Sequence, residues 1–336
     1  MNKKTIEQRP RLVVVDMMVG IAMTLVVLGH NSFNFAPHWY NNGLHPWIYA
    51  FHMELFVFLS SLLIRHSYRG IDGFREYFQY IGRKFAKFFI PFLLVGTAVG
   101  LSSAYLNHNV ELQGGWWSVL LNTLQQLFVW PMQSNASFLW YIYVLMGFYV
   151  ISPLVFKLPR WTKMALCLAS VALTVLPATY KFGLALFCKY GFFYFMGILC
   201  AEGIEELKTL KWWHALLGSL PFVAWTLYFI LTKERLFSVF TGLIALPATA
   251  FLGMGLKEVK PLRWCLARIS KGCYWIYLLQ MFVSWGCAIL YRETALINVV
   301  PFGGFLFVNT LLSIALPLCL QTFAESLQRG RPSAKD

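Results

Sequence analysis

Charge is what this chain has least of. Only 12% of its 336 residues are Asp, Glu, Lys or Arg, and the 14 acidic side chains are half as numerous as the 28 basic ones. A soluble domain carries about a quarter charged residues, so the composition excludes an ordinary water-soluble globule. The seven cysteines (Cys167, Cys188, Cys200, Cys265, Cys273, Cys287, Cys319) lie in or beside apolar runs. They have neither metal-ligand spacing nor loop pairing, and they read as small apolar fillers rather than a disulfide framework. No nucleotide-binding glycine loop and no zincin helix is present, and the histidines His30, His38, His45 and His52 are not spaced as a metal site. There is no internal repeat, no low-complexity stretch and no soluble domain at either end. The basic start (Lys3, Lys4, Arg9, Arg11) leads into a full-length apolar run without a small-residue cleavage site, which is not the pattern of a cleaved signal peptide.

What fills the chain is apolar sequence, 58% of all residues. A membrane span needs about 20 apolar residues. Ten stretches qualify: 12–33, 46–65, 85–106, 137–156, 163–179, 187–203, 212–231, 238–256, 272–290 and 300–321. The expected fold is therefore all-α, a polytopic membrane helix bundle forming one domain over 1–336. The segment 116–129 is too short and too rich in Asn and Gln to span, and reads as an interfacial or re-entrant helix. With both termini placed in the cytoplasm, all but five of the Lys and Arg residues fall on the inner side, the exceptions being Lys181, Lys189, Lys233, Arg235 and Arg292. That asymmetry is the positive-inside signature. It accounts for the net charge of +14 as a topology signal and an attraction to anionic lipid, with no need of nucleic acid. Trp116, Trp117 and Trp130 stand in or beside a long outer loop, either as an aromatic belt or as a stacking surface for a sugar.

Against this background the ionisable residues inside spans stand out, because such groups are costly in lipid and default to functional sites. The first span carries Asp16 near its start and His30 near its end; the second carries His52 and Glu54 near its start. Two antiparallel helices joined by a short loop bring His30, His52 and Glu54 to similar depth. Asp16 lies about 40° from His30 around the helix and roughly 20 Å deeper. Asn31, Ser32 and Asn34 make the helix end polar. His30 reads either as a hydrogen-bonded packing residue or as a proton acceptor, with Glu54 orienting it and stabilising its imidazolium. His52 and Glu54, two positions apart, do not share a helix face, so at most one points squarely at His30 unless the helix is irregular there. Arg83, Lys84 and Lys87 open the third span; they serve either as inner-face anchors or as a phosphate clamp.

Five strings, in order, resemble one family. DMMVGIAMTLVVLGH (Asp16 to His30) is similar to the first-span motif of the acyltransferase-3 family of integral membrane O-acyltransferases. FHMELFVFLSSLLI (Phe51 to Ile64), RKFAKFFIPF (Arg83 to Phe92), FLWYIYVLMGFYVISPL (Phe138 to Leu154, with Trp140) and ISKGCYWIYLLQMF (Ile269 to Phe282) resemble its second, third, fourth and late spans. The chain departs from the pattern at Val19, where the family usually has a cation eleven residues before the histidine, at Ser60-Ser61 in place of Ser-Gly, and at Gln280 in place of a histidine.

The resemblance implies a membrane O-acyltransferase of a bacterial inner membrane. It would move an acyl group, acetyl by preference, from cytoplasmic acyl-CoA to a hydroxyl of a glycan or lipid-linked sugar, without a metal. On that reading His30 and Glu54 are catalytic and Arg83, Lys84 and Lys87 hold the CoA phosphates. His52, Asn31, Trp140 and Tyr141 face substrate, and Asn31, Tyr141 and Gln280 are candidate oxyanion donors. Direct transfer and an acyl-histidine intermediate are both open. The rival readings are a transporter or flippase of a lipid-linked glycan and an inactive family member.

Overall fold

The computed structural model describes residues 12–329 except 32, 34, 69, 72, 108–110, 112, 175–178, 180, 204–210 and 235. Among the described residues every regular element is helical. In lipid a backbone can satisfy its N–H and C=O groups only within a helix or a closed barrel, so even the β-branched start of the first helix (Val13, Val14, Val15) is helical.

The helices are α1 (Val13–His30), α2 (His45–Tyr49), α3 (His52–His66), α4 (Phe74–Leu106), α5 (Trp116–Val129), α6 (Trp140–Lys157), α7 (Arg160–Leu173), α8 (Leu184–Glu202), α9 (Trp212–Thr232), α10 (Ser238–Leu256), α11 (Lys260–Glu293) and α12 (Phe302–Arg329). A π-helical turn, Tyr40–Leu44, precedes α2. Nine helical segments are long and apolar enough to cross a membrane among the described residues. The remaining expected span, 163–179, corresponds to α7; its described part has 14 residues, and residues 175–178 lie outside the described set.

Three boundaries differ from the sequence expectation. The third span was expected from 85 and the ninth from 272, but α4 begins at Phe74 and α11 at Lys260. At 33 and 34 residues these helices are about 50 Å long, well beyond a hydrocarbon core of about 30 Å. Their charged first turns (Arg75, Glu76, Lys260, Arg263) continue the helix where a hydropathy argument stops counting. The second span is not one helix. α2 ends at Tyr49, Ala50 and Phe51 form a turn, and α3 restarts at His52.

The chain packs as two compact units, residues 1–59 with 209–336, and residues 60–208. In the first, α1 packs against α10, α11 and α12. The approach to α11 is close: a Cβ on Gly20 would come within 2.6 Å of the Leu266 carbonyl oxygen. Small residues allow such backbone contact between membrane helices. The break before α3 is buried in an apolar cluster of Phe51, Trp225, Phe229, Ile244 and Ala245. Thr241 of α10 donates its hydroxyl to the Ala50 carbonyl at 2.5 Å, satisfying an acceptor at the interruption.

In the second unit α5 lies against α4. Its buried residues Val119, Thr123 and Leu127 fall at four-residue spacing, one stripe of the helix. They seat on Gly96 and Gly100, where an added Cβ would meet Leu127 at 2.7 Å and Thr123 at 2.3 Å. At 14 residues, about 21 Å, α5 is too short to cross. The same unit holds an ion cluster in which Glu202 of α8 accepts from Arg65 of α3 at 3.1 Å and from the buried Lys163 of α7.

Candidate active site at the end of the first helix

α1 delivers His30, a half-buried residue, at its last position. The Tyr40 hydroxyl, from the π-helical turn, donates to the Leu28 carbonyl at 2.7 Å and so caps one of the carbonyls that every helix C-terminus leaves open. The turn and α2 lie over this end. A Cβ on Gly29 would meet the Tyr49 ring at 3.1 Å and Ile48 at 3.2 Å, so the glycine beside His30 admits the overlying segment. Rings then follow one another along that segment: His45 and Tyr49 at 4.2 Å between centroids, Tyr49 and His52 at 4.7 Å.

The group that holds the His30 ring comes from α11. Gln280 is buried, and its amide Nε2 lies 2.8 Å from His30 Nδ1. No hydrogen bond engages His30 Nε2 among the described residues. One turn further along α11, Ser284 donates to the Oδ1 of Asn31 at 2.7 Å. The same oxygen accepts from Asn309 Nδ2 of α12 at 3.0 Å, and Asn31 Nδ2 donates to Thr310 at 3.0 Å. Asn309 also donates to Ser284 and accepts from Ser313. Asn31, Ser284, Asn309 and Ser313 are buried, and a buried polar network of this kind fixes geometry because each bond is costly to lose. An aromatic cluster packs nearby, with Phe33 stacked on Phe35 at 5.1 Å and Tyr291 on Phe305 at 4.2 Å.

The expected residues are placed as follows. His52 and Glu54 are both buried at the start of α3. The His52 Nδ1 lies 2.9 Å from the Ile48 carbonyl, which can only accept, so Nδ1 carries the proton. The break at Ala50 and Phe51 precedes both residues, so within α3 His52 and Glu54 still point to different sides of the helix. Ser32 and Asn34 lie outside the described residues. In the second unit Trp140 stacks on Tyr190 at 5.1 Å, and the Tyr141 hydroxyl shares a 2.5 Å hydrogen bond with Ser60. Arg83 and Lys87 are exposed, whereas the Lys84 ammonium sits over the faces of Tyr149 at 4.4 Å and Tyr80 at 5.5 Å. Of the tryptophans considered for sugar stacking, Trp116 stacks on Tyr105, Trp130 takes the Lys181 ammonium, and Trp117 is exposed.

At the opposite end of α1, Asp16 accepts from Ser270 at 3.1 Å and borders a pocket of about 590 Å³ that Lys260, Arg263 and Lys271 also line. This basic group was counted only as topology in the sequence. The network of Ser284, Asn309, Thr310 and Ser313 was not foreseen either. Its signal was present: Gln280 and Ser284, like Asn309 and Ser313, are polar pairs four residues apart in apolar helices, each marking one face.

The acyltransferase-3 family model, described as an acyltransferase domain, matches residues 13–318. No curated protein and no solved structure matches the chain. The match runs from the first residue of α1 into α12 and takes in every element of the site around His30. The chain therefore belongs to the acyltransferase-3 family and is a multi-pass membrane acyltransferase.

Proposed function

We propose that the chain transfers an acyl group, acetyl by preference, from acyl-CoA to a hydroxyl of a glycan or lipid-linked sugar at a bacterial inner membrane, with both termini cytoplasmic. The observation that carries this reading is His30: a half-buried histidine at the end of a membrane helix, held at Nδ1 and, among the described residues, without a hydrogen bond at Nε2. In so apolar a chain an ionisable ring held at one nitrogen fits a functional site better than a packing residue.

In the proposed reaction Nε2 takes the proton of the acceptor hydroxyl. The oxygen forms a bond to the thioester carbonyl carbon, the carbon–sulfur bond breaks, and the departing thiolate takes the proton back from Nε2. A base of this kind contributes about 10² to 10⁴ in rate. Glu54 offsets the charge of the imidazolium. His52 and Asn31 support the acceptor side through the positions they fix, and Trp140 and Tyr141 offer a ring face and a hydroxyl to a sugar. Arg83 and Lys87, with Lys84 beside them, hold the phosphates of the donor; guanidinium and ammonium groups suit that task.

The test is acetyl-CoA binding and acetyl transfer by the detergent-purified protein beside His30→Ala. The reading expects both proteins to bind the donor and only the wild type to turn it over. Full activity in the His30→Ala protein would remove His30 from the mechanism, and absence of donor binding by the wild type would remove acyl-CoA.

A further inference from the structure

We infer that Gln280 is a positioning residue that sets the tautomer of His30 through its side-chain oxygen, leaving Nε2 as the nitrogen that meets the substrate. This rests on the reading of His30 as the base.

Three observations converge. The Gln280 amide lies 2.8 Å from His30 Nδ1. Gln280 is buried, so the contact is not traded for water. Its other amide atom, Oε1, is buried without a hydrogen-bond partner, so no donor holds the oxygen on the side away from His30. The two ends of a side-chain amide are alike in shape, and which one faces a neighbour follows from the hydrogen bonding they must serve.

The two orientations differ in chemistry. If the amide nitrogen faces Nδ1, it donates to a ring lone pair, and the neutral ring must carry its proton on Nε2. The outward nitrogen then has no lone pair for a hydroxyl. If the ring became an imidazolium, Nδ1–H would also confront N–H, donor against donor. If Oε1 faces Nδ1, the ring donates to it, Nε2 keeps its lone pair, and the same hydrogen bond survives protonation. Only the second orientation serves both the neutral ring and the imidazolium without movement. As Nε2 gains the hydroxyl proton and returns it to the thiolate, the Nδ1 proton stays in place.

The position of Gln280 supports this role. Ser284, one turn away on α11, holds the Oδ1 of Asn31, the residue after His30. One face of one helix therefore fixes both the ring and the backbone that carries it. The acceptor is also neutral, so it orients the imidazolium without trapping its proton, as a carboxylate in that position would tend to do.

The experiment is nitrogen NMR of the full chain with ¹⁵N-labelled histidine rings, the His30 signals being those lost in His30→Ala. The wild type should show His30 neutral with its proton on Nδ1. Gln280→Leu should lose that preference and lower kcat about 100-fold with KM unchanged. Gln280→Glu, which keeps an oxygen at Nδ1, should restore the tautomer and part of kcat. If Gln280→Leu does not fold, Gln280→Met, closer in length, carries the same expectation. A wild-type proton on Nε2, or a Gln280→Leu protein with unchanged tautomer and kcat, would overturn the inference. The two failures are distinct: an active His30→Ala protein removes the base, whereas an unaffected Gln280→Leu protein beside an inactive His30→Ala removes only Gln280.

Discussion

Asn309 donates from Nδ2 to the Oδ1 of Asn31 at 3.0 Å, joining positions 278 apart in sequence. Both side chains are buried, so each group left without its partner pays the desolvation cost with nothing in return. That cost is about 1–3 kcal/mol for a neutral group. Asn309 also reaches Ser284 and Ser313, so its removal strands more than one group.

Asn309→Ala is therefore expected to lower stability by about 2–4 kcal/mol, combining a lost network with a small cavity. It should also lower acyl transfer, because Asn31 would no longer hold the end of α1 in place. Thermal unfolding in detergent and turnover, measured on the same preparation, check both. Asn309→Asp keeps the shape but removes the two N–H donors, and should be nearly as damaging. An Asn309→Asp protein as stable as the wild type would mean that the network does not carry the helix end.

The helix framework was legible because a bilayer sets a length and the chain meets it. The expected spans 212–231 and 238–256 match α9 (Trp212–Thr232) and α10 (Ser238–Leu256) closely, and the expected non-spanning helix 116–129 is α5. Hydropathy is silent on which helices are inside. The apolar windows of α1 and α9 both qualify as membrane spans, yet 56% of the first is buried and 22% of the second. Lipid and protein interior are equally apolar, so the distinction lies in small residues and polar pairs instead. His30 was legible for the same reason that Gln280 was not placed beside it: a lone ionisable group announces itself, whereas its partner depends on which helix packs against α1. The restart at His52 had only a weak signal, Gly43 and Pro46 upstream.

The ion cluster of Glu202, Lys163 and Arg65 gives a second prediction, on stability alone. Lys163 is buried, and Glu202 is its acidic partner. Glu202→Gln leaves that ammonium uncompensated and should cost about 3–5 kcal/mol. Adding Lys163→Met removes the stranded charge and should recover a large part of the loss, since a buried pair replaced by apolar groups is often neutral or better. Thermal unfolding of the two single variants and the double variant forms the cycle that decides it. Strict additivity would mean the two residues do not interact. The exposed pair Lys257 and Glu258, at 3.6 Å, is the contrast, where Glu258→Gln should change stability by about 1 kcal/mol or less.

The donor phosphates give the last prediction, and the placement of Lys84 sharpens it. Its ammonium already sits over Tyr149 and Tyr80, an arrangement worth about 0.5–2 kcal/mol, so a phosphate must compete for it. Arg83 and Lys87 are exposed, and the Lys87 ammonium lies 5.2 Å from the Phe88 ring. Arg83→Ala with Lys87→Ala should weaken CoA binding by about tenfold or more, equivalent to about 1.4 kcal/mol, and flatten its dependence on salt. Lys84→Ala should weaken binding less and stability more, because an aromatic recess loses its cation. Titration of CoA into the purified variants at low and high salt separates these effects. Unchanged affinity in the Arg83→Ala, Lys87→Ala protein would move the phosphates to the second basic group, Lys260, Arg263 and Lys271 around the pocket beside Asp16. In that case Lys260→Ala with Arg263→Ala should show the loss of affinity instead, and the donor would enter the unit that carries His30 at the start of its own helix.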